Sequence, residues 1–140
     1  MDVMEVGSVP LEMGSITPCR VLGSMELIDE GETDHKIICI SLSDPDASQI
    51  RSMEDLERVK PGTAARLVNW LKRYKTSDGK GENMLAQETP TTAREALDII
   101  AETHQRWRML CGKDNGTTGY GGTLPGTEGF YLDSPSCKGE

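Results

Sequence analysis

Apolar residues fall into two patterns along this chain: short β-branched runs in the first third, and three- and four-residue steps beyond it. Val3 and Val6, then Val21, Leu22, Leu27 and Ile28, then the run from Ile37 to Ile40 are bounded by polar breakers, which predicts strands over 3–6, 20–28 and 35–42. Between the last two strands stands Asp29-Glu30-Gly31-Glu32-Thr33-Asp34, where Gly31 can take the positive φ of a tight hairpin loop. Ser43-Asp44-Pro45-Asp46 reads as a loop, and past it the period changes from two to 3.6. A short helix is predicted over 52–59, opened by Ser52 with Asp55 three residues on and closed before Pro61. A second runs over 62–75 on Leu67, Val68, Leu71 and Tyr74, with Lys72, Arg73 and Lys75 at its carboxyl end. The third, 93–111, begins at the box Thr92–Glu95, carries Leu97, Ile100, His104, Trp107 and Cys111 on one face, and stops at Gly112. Residues 112–129 hold seven glycines, too flexible for a helix or strand interior, so a glycine-rich tail over 112–140 is set apart from a domain over 1–111.

The chain of 140 residues is 36% hydrophobic and 27% charged, a globular composition that excludes collagen, disordered tails and disulfide mini-scaffolds. Its longest apolar run is four residues against the roughly 20 of a membrane-spanning helix, and Asp2 and Glu5 stand where a signal peptide carries positive charge. No membrane partner is expected. Cys19, Cys39, Cys111 and Cys137 form no close pair, which argues against zinc and for a reducing, cytoplasmic location. The net charge is −8, and residues 1–36 set eight acidic side chains against Arg20 and Lys36, so nucleic acid is a poor partner.

That acidic segment is where chemistry is expected. Asp29, Glu32 and Asp34 crowd one loop, and carboxylates held together are costly unless a hard cation such as Mg²⁺ or a cationic partner neutralises them. Asp34 and Lys36, two apart at a strand start, point to one face, which sets an ammonium beside a carboxylate as a metal-bound phosphate would need. Spacing alone leaves open the ordinary alternative of a solvated turn.

The whole string Leu27-Ile28-Asp29-Glu30-Gly31-Glu32-Thr33-Asp34-His35-Lys36 resembles the signature of the family I soluble inorganic pyrophosphatases. The resemblance continues through Ser43-Asp44-Pro45, Tyr74-Lys75, Asp78-Gly79-Lys80-Gly81-Glu82-Asn83, Glu102-Thr103-His104 and Trp107, and covers residues 1–111. It departs where His35 replaces a common tryptophan and Gly81 a proline. It implies an α+β fold: a partial OB-like β-barrel whose strands lie in the first third, followed by two to three helices. It also implies Mg²⁺-dependent hydrolysis of pyrophosphate to two orthophosphates, with Asp2, Asp29 and Asp34 as metal ligands and Lys36, Tyr74 and Lys75 holding phosphate. Asp2 matches the last aspartate of the family's D-x-D-P-x-D motif, so the earlier aspartates and barrel strands fall outside the chain. The expectation is therefore a C-terminal portion or truncated homologue with little activity alone, with homo-oligomers as the family commonly forms. The alternative is a non-catalytic module that binds a partner chain by strand addition.

The remaining rings have plainer readings. His104, Trp70 and Trp107 are expected to pack in the core, and His35 to be an ordinary surface histidine.

Overall fold

The structure, a computed structural model, describes residues 1–29 and 31–112, with backbone alone for Asp29 and for residues 110–112. The predicted tail beyond Gly112 lies outside the described residues. Contacts divide the chain into two compact units, Met1–Ile99 and Ile100–Glu140.

The three predicted strands form, as β1 (Asp2–Glu5), β2 (Cys19–Asp29) and β3 (Glu32–Ser41), with a two-residue β4 (Met84–Leu85) that the sequence did not signal. They make one open sheet in the order β1-β3-β2-β4. β3 is central: β1 runs parallel to it, and β2 pairs antiparallel with both β3 and β4. Central placement explains the unbroken apolar run Ile37–Ile40, all of it buried, because both faces of this strand are covered. The hairpin is tighter than the six-residue loop expected. Asp29 pairs with Glu32, and Gly31 takes φ 88° to close the chain in two residues, so Glu32, Thr33 and Asp34 belong to a strand.

Ile38 and Ile40 project from β3 into the main core, with Val6, Leu22, Met25, Ala47, Ile50, Leu56 and Leu71. Burying side chains of this size at about 25 cal/mol per Å² is what joins sheet and helices. The β2–β3 register steps between Val21 and Gly23, a bulge beside which Thr91 N donates to Ser24 O and Ser24 N to Thr91 Oγ1. A Cβ on Gly23 would overlap the Thr91 carbonyl oxygen, so only glycine admits this approach.

Helix α1 (Met53–Val59) is capped as predicted, Asp55 N donating to Ser52 Oγ at 3.2 Å. Helix α2 (Thr63–Arg73) starts after Gly62 at φ 77° and ends earlier than expected, passing through Tyr74 and Lys75 into a 3-10 turn over Thr76–Asp78. Asn83 covers its last carbonyls, donating from Nδ2 to Leu71 O at 2.7 Å and from its amide to Lys72 O at 2.8 Å. Helix α3 (Ala93–Gly112) carries the full Thr92–Glu95 capping box, with bonds of 2.8 and 3.3 Å.

Two packing expectations are corrected. Trp70 is 54% exposed, because at 100° per residue it lies on the flank of the stripe that Leu67, Leu71 and Tyr74 turn inward. On α3 the covered positions are Ala93, Ala96, Ile99, Ile100, Thr103 and Trp107, so Leu97 and His104 fall just outside the stripe and are exposed. His104 lies beside Trp107, their ring centroids 5.2 Å apart and their planes tilted by 32°.

Candidate functional site

Pleat and register together build the site at the amino-terminal end of β1. Parallel pairing sets Asp2 against Lys36, and alternation along β3 puts Asp34 on the face of Lys36. Lys36 Nζ bonds to Asp2 Oδ2 and lies 2.6 Å from Asp34 Oδ2. Its side chain is 6% exposed, whereas those of Asp34 and Asp2 are 26% and 70% exposed. The ammonium is thus the floor of the site and the carboxylates its rim. Burial alone would lower the Lys36 pKa, but hydrogen bonds to Asp2 and Asp34 outweigh it and raise the value. The same bond from Lys36 holds the Asp2 carboxyl below its ordinary value.

Asp29 ends β2 opposite Glu32; its side chain lies outside the described residues. Tyr74 and Lys75 form a second group at the end of α2. The Tyr74 ring stacks on Trp70 at 4.9 Å and packs against the core, and Lys75 Nζ lies 5.7 Å from the Tyr74 centroid. Asp2, Asp34 and Lys36 are therefore in direct contact, while Tyr74 and Lys75 are joined to one another.

His35 departs from its surface reading. It pairs with Glu26 on the face away from Lys36, is half-buried, and its Nδ1 is shut from solvent without a hydrogen-bond partner. The reason is the tight hairpin, which draws residues 32–35 into the sheet: Glu32 and Thr33 stay exposed, but by His35 the strand is half-buried.

Chemically, the triad offers two hard oxygen donors and a permanent cation. No group of three or more His, Cys, Asp or Glu suited to a metal occurs among the described residues. Two carboxylates nonetheless fit Mg²⁺, which is commonly held by one or two carboxylates, water and substrate phosphates rather than by an all-protein cage. Sequence reasoning passed over Glu5 and Asp44, whose carboxylates fix the far end of β1. Their signal was faint: an acidic residue at a strand end and another in a turn.

The family model described as inorganic pyrophosphatase matches residues 1–108. The inorganic pyrophosphatase of Mus musculus is 44% identical over 114 residues, 81% of this chain and 39% of that protein. The inorganic pyrophosphatase structure from Schistosoma japonicum superposes with a TM-score of 0.74 at 38% identity, covering 77% of this chain and 38% of that one. A truncated Trypanosoma cruzi vacuolar soluble pyrophosphatase, solved in complex with PPi, gives a TM-score of 0.74 at 29% identity over 77% of this chain and 41% of its own. The chain spans about two fifths of the length of the curated relatives it matches.

Proposed function

The chain belongs to the inorganic pyrophosphatase family, of the family I soluble type, and from that premise we propose that it supplies the Asp2–Lys36–Asp34 part of a site hydrolysing pyrophosphate with Mg²⁺. The observation that carries the reading is one buried ammonium shared by two outward-facing carboxylates. Asp2 and Asp34, with Asp29 beside them in sequence, would hold the cation, which supplies positive charge against the phosphate oxygens. Lys36 then plays two parts. Its charge offsets the repulsion between the two carboxylates, and its N–H groups would be donors to a phosphate oxygen of the substrate. Its raised pKa keeps it charged at neutral pH. The Tyr74 hydroxyl and the Lys75 ammonium are the other phosphate donors in this reading, the Tyr74 ring stacked on Trp70 and the ammonium lying over the Tyr74 ring.

Two carboxylates do not by themselves assemble a multi-metal cage, so activity of the chain alone is expected to be low. The test is phosphate release from pyrophosphate with Mg²⁺, on the chain alone and mixed with a polypeptide carrying the amino-terminal part of a full-length relative. Release only in the mixture is expected. Turnover near ordinary enzyme values from the chain alone would overturn the claim of an incomplete site, and silence in both would overturn the enzymatic reading.

The open sheet favours a second reading. β1 is an outer strand, and Val3 on it is 61% exposed, so a partner polypeptide could dock there by strand addition. Stable complex formation in a mixture that releases no phosphate would favour this module. Free Cys19 and Cys39 fit a reducing location such as the cytoplasm, and among the described residues no helix is long and apolar enough to cross a membrane.

A further inference from the structure

β1 is a demanding place to put a metal carboxylate. It is four residues long, lies at the sheet edge, and pairs with β3 in the parallel mode, the slightly weaker of the two. A slip of one residue would turn Asp2 to the opposite face, away from Lys36. Something beyond the ladder must therefore fix the register.

The residues after β1 identify it. Val6 N donates to Cys39 O at 2.9 Å, extending the pairing by one bond. Ser8 N and Val9 N then donate to one oxygen of Asp44, at 2.6 and 3.2 Å, while the other oxygen accepts from Asp46 N at 2.9 Å. This carboxylate bridges segments 35 and 36 residues apart, and its residue is only 7% exposed. Glu5 works beside it, accepting from Gly7 N at 2.9 Å and from Ser41 N at 2.8 Å. Gly7 makes the approach possible: a Cβ there would lie 2.5 Å from both Asp44 Oδ2 and Glu5 Oε1. Lys60, the C-cap of α1, closes the set, donating to Val6 O at 3.0 Å and Ser8 Oγ at 2.8 Å and pairing with Asp46 at 3.2 Å.

We propose that Asp44 is a positioning residue, whose carboxylate gathers the amides that follow β1, locks that strand's register on β3, and thereby holds the Asp2 carboxylate on Lys36. The consequence for a metal–phosphate site rests on the reading given above, but the effect on register does not. Asn in place of Asp44 keeps the shape and leaves one accepting oxygen, enough for the Ser8 and Val9 amides or for the Asp46 amide but not for both sides.

Zero-length carbodiimide coupling of the full chain, read by peptide mass spectrometry, tests the register without metal or substrate. Lys36 can couple to Asp2, which requires β1 in register, or to Asp34, which shares its strand and serves as internal reference. Asp44→Asn should lower the Asp2-to-Asp34 product ratio at least about tenfold, the scale of losing charge-assisted hydrogen bonds. Slow amide exchange at Leu71 in α2 should persist, showing that the core stays folded. An unchanged ratio overturns the proposal. If Asp44→Asn does not fold, Gly7→Ala decides, because its methyl would fall 2.5 Å from the Asp44 oxygen that takes the Ser8 and Val9 amides: a ratio lowered several-fold supports the clamp, and an unchanged ratio overturns it. Calorimetric titration of the wild-type chain with Mg²⁺ alone judges the metal reading separately, because the coupling ratio does not depend on it.

Discussion

Lys36 is the residue on which the site turns, because it brings a full charge to 6% side-chain exposure and can do so only with both carboxylates beside it. Asp2 and Asp34 can hydrate when the lysine is removed, since both reach solvent. Lys36→Met should therefore change stability by no more than about 1 kcal/mol in urea denaturation. On the function proposed above, the same variant should weaken pyrophosphate binding by at least about tenfold in calorimetry, because it removes the proposed donor to phosphate. A second residue-scale expectation concerns Cys39. Burial, the hydrogen bond with Cys19 and the nearby Glu5 charge push its thiol up to about 12, so almost none is thiolate at pH 8. Exposed Cys19 should take up iodoacetamide at least about a hundredfold faster than Cys39 in the native chain, and equally fast in denaturant, as followed by peptide mass spectrometry.

At the scale of elements, β2 depends on its bulge. Gly23→Ala drives a methyl group into the Thr91 backbone carbonyl, which a flexible side chain cannot yield to relieve. The cost should be about 1–3 kcal/mol of unfolding free energy, measured by chemical denaturation, as for other overpacked sites. The strand-end clamp has its own pH signature. Burial alone would raise the Asp44 carboxyl, but amides of Asp46, Ser8 and Val9, with Lys60, bring it below its ordinary value. Asp2 is lowered too, by its bond from Lys36. With folded values below unfolded ones, the unfolded chain binds protons first as acid is added. Their stabilisation is whole above about pH 5, erodes as pH falls past about 4, and is lost once it passes through the folded values. Thermal melts between pH 7 and pH 3 should show this fall, and Asp44→Asn should flatten it.

Across the whole molecule, −6 of the net charge of −8 gathers in residues 1–36, around the candidate site, so a polyanion without bound cations meets repulsion. Fluorescence anisotropy with a single-stranded oligonucleotide should show no binding at physiological salt in the absence of divalent metal, and saturable binding would contradict it. The architecture also explains what was legible beforehand. The strand runs, the two capping motifs and the acidic hairpin were readable because each rests on interactions within a few residues: pleat alternation, an N-cap oxygen, a positive-φ glycine. The pairing of Asp34 with Lys36 follows from the same alternation. Helix faces were harder. Trp70 and His104 fit an apolar stripe in sequence but sit at its margin in space, where a turn of a few tens of degrees decides between core and solvent.

Local chemistry in the sequence thus determined the first three strands and the three helices after them, the capping of α1 and α3, the concentration of carboxylates near Lys36, and, through its motif, the family. Tertiary structure decided the rest. It brought Asp2 across 34 residues onto Lys36, made β3 the centre of an open sheet, turned His35 inward, and gave Asp44 the amides that follow β1. These depend on strand register and on contacts between distant segments, which cooperative packing of the sheet against the helices fixes and no short stretch of sequence encodes.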